Sequence, residues 1–166
     1  SYFKVYKLNV AIVRCGNLFG PGDFNLNRLI PETVISFINN KPIKIRSSGK
    51  LVRDYLYVDD AVNAYYLIMR ALEKYKNKKL LIYNVGSKYN LSVIKMINLI
   101  RNLMGKEHLK PIIMNKSKQE INFQKLNDKK IKKDLKWKQH TSLNDGLIKT
   151  IDWYKKNFKL FKSNVV

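Results

Sequence analysis

Short apolar runs of strand length alternate along this chain with stretches whose apolar residues recur every three or four positions. That alternation constrains the fold more than any other feature, because period-two and period-3.6 segments bury different faces. "NVAIVR", "KPIKIR", "VRDYLYV", "KLLIYNVG" and "KPIIMN" read as strands, the third with period-two alternation. "LIPETVISFINN" reads as a helix with Pro31 in its first turn, where a missing N–H costs nothing. Asp59 and Asp60 are expected to cap the next helix, which places Ala61, Ala64, Tyr65, Ile68, Ala71 and Leu72 on one face. Ser92 opens another, with Val93, Ile97, Ile100 and Met104 on its buried side. "NDKKIKKDLKW" is a short basic helix. In "SLNDGLIKTIDWYKKNF", Ser142 and Asp145 stand at capping-box spacing ahead of a stripe of Leu143, Leu147, Thr150, Ile151 and Tyr154. Strands alternating with helices predict an α/β fold with parallel pairing. The strands at 42–46, 52–58 and 111–114 are expected to form a smaller appended sheet. Trp137 and Trp153, with Tyr154, are expected to pack the C-terminal helices together.

The loop "RCGNLFGPGD" raises the functional question. The apolar run "VAIV" should end here and the chain should turn, since Gly16, Gly20, Pro21 and Gly22 all interrupt regular structure. The glycine spacing is not a dinucleotide fingerprint. A turn explains the glycines but not Asn17, whose amide can donate to and accept from a ligand; loops at strand carboxyl ends are where α/β proteins bind. Arg53 has two readings as well. It can pair with Asp54 beside it, or it can aim a planar fork at a diphosphate. Cys15 reads as a small apolar filler, and His108 and His140 have no partners at metal-ligand spacing, so no metal site is expected.

Composition narrows the class. A chain of 166 residues suffices for one domain, and no apolar run approaches the roughly 18 residues that span a bilayer. A single cysteine fits a reducing, cytoplasmic setting. The net charge of +21 invites a nucleic-acid-binding module as an alternative. Yet the excess is 27 Lys against 6 Arg, and Lys, Asn and Ile together fill 62 positions. Bidentate phosphate and base recognition lean on Arg, so this bias reads as a solvated surface and nucleic acid is not the expected partner.

Five ordered stretches, "VAIVRCGNLFGPGD", "NRLIPETV", "PIKIRSSGKLVRDYLYVDDAVNAYYLIM", "YNVGS" and "DLKWKQHTSLNDGLIKTIDWY", resemble the C-terminal half of extended short-chain dehydrogenase/reductases, the nucleotide-sugar epimerases and dehydratases. The R-D-Y-x-Y-V-x-D-x-A run is the most specific. The loop followed by N-R-L-I-P resembles the CDP-glucose 4,6-dehydratase branch. The resemblance implies the C-terminal portion of a Rossmann-like parallel sheet with a small α/β substrate-binding lobe, residues 1–166 being the C-terminal part of one such domain. It implies that Asn17, Arg28, Leu29, Lys44, Arg46 and Arg53 bind a nucleotide sugar, Arg53 as the diphosphate clamp. Gly16 and Leu18 would face the nicotinamide of NAD. It further implies a homodimer when complete, with a 4-epimerase as the alternative activity. The family's G-x-x-G-x-x-G loop and catalytic Y-x-x-x-K pair are expected to be absent, since Tyr2 and Tyr6 have no lysine four residues later. No catalytic residue is therefore assigned, and the chain alone is expected to be inactive. Lys125 stands where relatives often carry a tyrosine facing the substrate.

Overall fold

The computed structural model describes residues 2–75, 79–116 and 120–164. The α/β reading holds, with parallel pairing dominant. Helix α1 (Tyr2–Val5) leads to β1 (Val10–Cys15), and after Gly16 alone the chain resumes as β2 (Asn17–Phe19). Helix α2 (Leu29–Ile38), β3 (Lys44–Ile45), β4 (Val52–Tyr57) and α3 (Val58–Glu73) follow. Next come β5 (Leu80–Val85), β6 (Asn90–Ser92), α4 (Val93–Leu103), β7 (Ile112–Ile113), α5 (Lys129–Leu135) and α6 (Leu143–Lys156), then a 3-10 turn, Phe158–Asn164. Among the described residues no helix is long and apolar enough to cross a membrane.

The apolar run ends at Cys15 as expected, but the chain does not turn at Gly16 itself. It changes partner. β1 runs parallel to β5 from Val10↔Leu80 to Cys15↔Val85, and β2 then runs parallel to β4 from Asn17↔Tyr55 to Phe19↔Tyr57. A glycine is needed at the handover because a Cβ on Gly16 would stand 2.8 Å from Asp54 Oδ1 and 2.9 Å from its backbone oxygen. The turn comes later, at Gly22, whose φ of +82° favours glycine.

β4 is not part of an appended sheet. It lies between β2 and an antiparallel partner, β6, and only β3 and β7 form the small separate pair. Nor does β4 alternate in burial: Asp54, Tyr55, Leu56 and Tyr57 are all buried. Both faces are covered, as expected for a strand packed between layers. On one face Phe19, Tyr55 and Tyr57 join a core with α2, α4 and α6. On the other, Leu56 meets Ala61, Ala64, Ile68, Leu81, Tyr83 and Val85.

Two further expectations change. Asp59 and Asp60 do not cap α3; Tyr57 holds the N-cap position and both acids lie in the first turn. Buried Asp60 instead accepts from the backbone N–H of His140 at 2.7 Å and of Thr141 at 3.2 Å. The tryptophans separate: Trp137 is buried in the α3–β5 core and donates to the Asp60 carbonyl, whereas Trp153 packs on Phe24, Tyr154 and Phe161. Capping at α6 matches the sequence pattern, with Ser142 Oγ accepting from Asp145 N at 3.1 Å.

Candidate functional site

The site forms where the β2–β4 ladder meets the start of α2. A cleft of about 200 Å³ there is lined by Asn17, Leu18, Asp23, Arg28, Leu29, Ile30, Pro31 and Tyr55. A second, also about 200 Å³, is lined by Asn27, Leu29, Glu32, Ile43–Ser47, Val93 and Glu120. Leu29 borders both, so five of the six residues expected to bind substrate line two adjoining clefts: Asn17, Arg28, Leu29, Lys44 and Arg46.

Local structure explains each placement. Asp23 caps the turn after Gly22 by accepting from Asn25 N, and its other oxygen holds Arg28 at 2.9 Å. Arg28 also donates to the Leu18 carbonyl at 3.2 Å, tying the α2 entrance to β2. The Asn17 side chain has no hydrogen-bond partner among the described residues. Lys44 in β3 and Arg46 just after it flank buried Ile45, and both cations are exposed. Glu32 lies close enough to Arg46 to feel its charge, but burial is the larger influence and pushes the Glu32 carboxyl above its ordinary range.

Arg53 does not pair with Asp54. Its guanidinium donates to the carbonyls of Val52 (3.0 Å) and Ile121 (2.6 Å) and to Glu120 Oε2 (3.1 Å). The arginine thus reaches the second cleft through Glu120, which lines it. Asp54 points to the opposite face and accepts from Ser87 N at 2.8 Å and Leu126 N at 3.0 Å, fastening β5's end and the 120–126 segment to β4. Burial pushes the Asp54 carboxyl up, against the pull of those two N–H groups.

The two residues expected beside the nicotinamide fare differently. Leu18 borders the first cleft and the adjoining Gly20–Asp23 pocket. Gly16 lines neither and is packed on Asp54. Lys125 is exposed, near enough to Asp54 to pull its carboxyl downward. A Y-x-x-x-K spacing occurs at Tyr75 and Lys79. It falls between α3 and β5, off any helix face, and the Lys79 ammonium lies over the Tyr75 ring at 4.8 Å. Among the described residues no group of three His, Cys, Asp or Glu is disposed to hold a metal.

Tyr55, Asp23, Glu32 and Glu120 line these clefts without having been singled out. For Tyr55 the signal was available: it stands two residues from Arg53, and residues i and i+2 share a strand face. Glu120 carries no local signal, since a contact with Arg53 across 67 positions is set by tertiary packing.

The clefts combine Arg28, Lys44 and Arg46 with Asp23, Glu32, Glu120 and an apolar stretch, at the ladder of a parallel pair in an α/β fold. The model of the NAD dependent epimerase/dehydratase family matches residues 1–86, and the chain belongs to that family. A trifunctional UDP-glucose 4,6-dehydratase/3,5-epimerase/reductase of Arabidopsis thaliana is 34% identical over 159 residues, 95% of this chain and 23% of the plant protein. The crystal structure of dTDP-glucose 4,6-dehydratase from Bacillus anthracis in complex with NAD superposes with a TM-score of 0.81 at 27% identity, covering 98% of this chain and 49% of that one. UDP-glucose 4-epimerase from Thermotoga maritima, with UDP-glucose, gives 0.82 at 25%, covering 95% and 49%. The chain therefore spans about half the length of these solved relatives, and about a quarter of the plant protein.

Proposed function

We propose that this chain is the nucleotide-sugar-binding part of an NAD-dependent nucleotide-sugar 4,6-dehydratase, with the cofactor-binding and catalytic residues supplied by polypeptide outside these positions. The observation that carries the reading is the pair of adjoining clefts bordered by Asn17, Arg28, Leu29, Lys44 and Arg46, with Arg53 reaching the second through Glu120. Its cations suit a diphosphate and its apolar stretch, Leu29 with Ile43 and Ile45, suits a flat base. Family membership and relatives described as dTDP- and UDP-glucose dehydratases support the same class. The CDP-glucose reading rests on the loop and N-R-L-I-P motif alone, whereas those relatives carry dTDP- or UDP- in their names.

NAD, when bound, supplies the hydride acceptor and donor, and Leu18, bordering two pockets, is this chain's contribution beside it. The chain's own work is binding and alignment. Asn17 is free to donate to a diphosphate or ribose oxygen, and Arg53 to meet phosphate charge. Leu29 and the β3 residues hold the base, so that remote binding energy fixes the sugar's position. A 4-epimerase is the second reading, favoured by the similarity to the Thermotoga maritima epimerase.

The test is incubation of the natural polypeptide carrying this chain with NAD and dTDP-, UDP- or CDP-glucose, followed by mass spectrometry. A dehydratase yields a 4-keto-6-deoxy sugar lighter by one water, and an epimerase yields an isomer of unchanged mass. Failure to bind any of the three sugar nucleotides would overturn the reading.

A further inference from the structure

Tyr55, which lines the first cleft, carries a polar group that the described fold does not use. Tyr55 is 2% exposed, and its hydroxyl is buried with no hydrogen-bond partner among the described residues. Buried hydroxyls in folded proteins are nearly always paired, so an unpaired one calls for an explanation. The ring by itself explains the packing: Tyr55 belongs to the core formed with α2, α4 and α6, where a phenylalanine would serve as well.

Strand geometry places the hydroxyl's side chain among the ligand-binding candidates. Successive side chains of β4 point to opposite faces, so Arg53, Tyr55 and Tyr57 share one. The β2–β4 register sets Asn17 opposite Tyr55 and Phe19 opposite Tyr57. The Phe19 and Tyr57 rings meet at 5.5 Å between centroids, as same-face neighbours should. Asn17, Tyr55 and Arg53 thus make a polar row on an otherwise apolar face, and Asn17 and Tyr55 both line the first cleft. Asn17 is likewise without a partner among the described residues.

We propose that the Tyr55 hydroxyl is a ligand-binding donor, hydrogen-bonding an oxygen of the diphosphate of a nucleoside-diphosphate sugar held between Asn17 and Arg53. The assignment rests on the nucleotide-sugar reading above and adds Tyr55 to the expected binding residues. Burial pushes the phenol up to about 12, against the opposing pull of Arg53, so at neutral pH it is protonated and can only help an anion. The described residues offer this donor no acceptor, and a ligand oxygen would supply one.

Tyr55→Phe removes the hydroxyl and little else. In the natural polypeptide carrying this chain, two quantities decide: the melting temperature without ligand, and calorimetric affinities for UDP, CDP and dTDP and their glucose conjugates. The expected result is a melting temperature held or raised, with affinity for the best-bound nucleotide lowered about five- to tenfold. Unchanged affinity overturns the assignment while leaving the nucleotide-sugar reading intact. A lowered melting temperature also overturns it, because the hydroxyl would then have a partner within the fold. If wild type binds none of the six compounds, the nucleotide-sugar reading falls and this assignment falls with it.

Discussion

Removing the Arg53 guanidinium separates its two roles, strap anchor and phosphate ligand. Among the described residues its five N–H groups are not all committed: Nη1 serves two carbonyls and Nη2 serves Glu120, which leaves Nε–H and one Nη2–H. Arg53→Ala removes the three existing bonds from a side chain only 15% exposed. The two bonds to carbonyls dominate, at about 2 kcal/mol of stability together, while Glu120, 41% exposed, contributes little because solvent screens it. The same substitution takes the two remaining donors from an arriving diphosphate, about 1.5–3 kcal/mol or ten- to a hundredfold in affinity. Arg53→Lys should recover only part of that, since an ammonium keeps the charge and loses the fork. Glu120→Gln keeps an acceptor beside the guanidinium and deletes a negative charge beside the incoming anion. Affinity should rise by about 1 kcal/mol, some fivefold, and less at high salt. Calorimetric titration of CDP, UDP and dTDP against the four proteins, with urea melts for stability, reads all of these. Arg53→Ala that melts earlier but binds every nucleotide as wild type does would refute the phosphate role. Weaker binding by Glu120→Gln would refute the competition argument and make the carboxylate a positioning group.

Two other perturbations test the fold around the site. Burial raises the folded-state pKa of Asp54 above its ordinary 3.8, so its contribution is fully present below that value and is lost as pH rises through the raised one. Wild type should therefore lose stability relative to Asp54→Asn between acid and neutral pH in urea melts, and a difference that grows instead would contradict the burial argument. Gly16→Ala should cost about 1–3 kcal/mol through the clash with Asp54, more than Gly22→Ala, where the added Cβ meets nothing and only the φ of +82° is strained. Thermal melts of the pair showing the reverse order would relocate the constraint from packing to the turn.

What the sequence determined by itself was local or periodic. Hydrophobic periodicity located the helices and the longer strands, because burial of one stripe or one run is written directly into residue order. Ser142 and Asp145 announced the α6 cap three residues apart, which is all such a cap requires. Motif order pointed to Asn17, Arg28, Leu29, Lys44 and Arg46, which the fold brings to the linked clefts. Tertiary structure decided where strands pair and what shares a face. Gly16 looked like a turn because glycine suits one, but its constraint is Asp54, 38 positions away in sequence and 2.8 Å from the missing Cβ. Arg53 and Asp54 looked like an ion pair because they are adjacent, yet adjacent strand residues point to opposite faces. One therefore meets Glu120 and the other Ser87 and Leu126. The unpaired Tyr55 hydroxyl is legible in no sequence at all. Whether a buried donor has a partner depends on every group the fold brings within about 3 Å of it, and that is settled only when all the layers are in place.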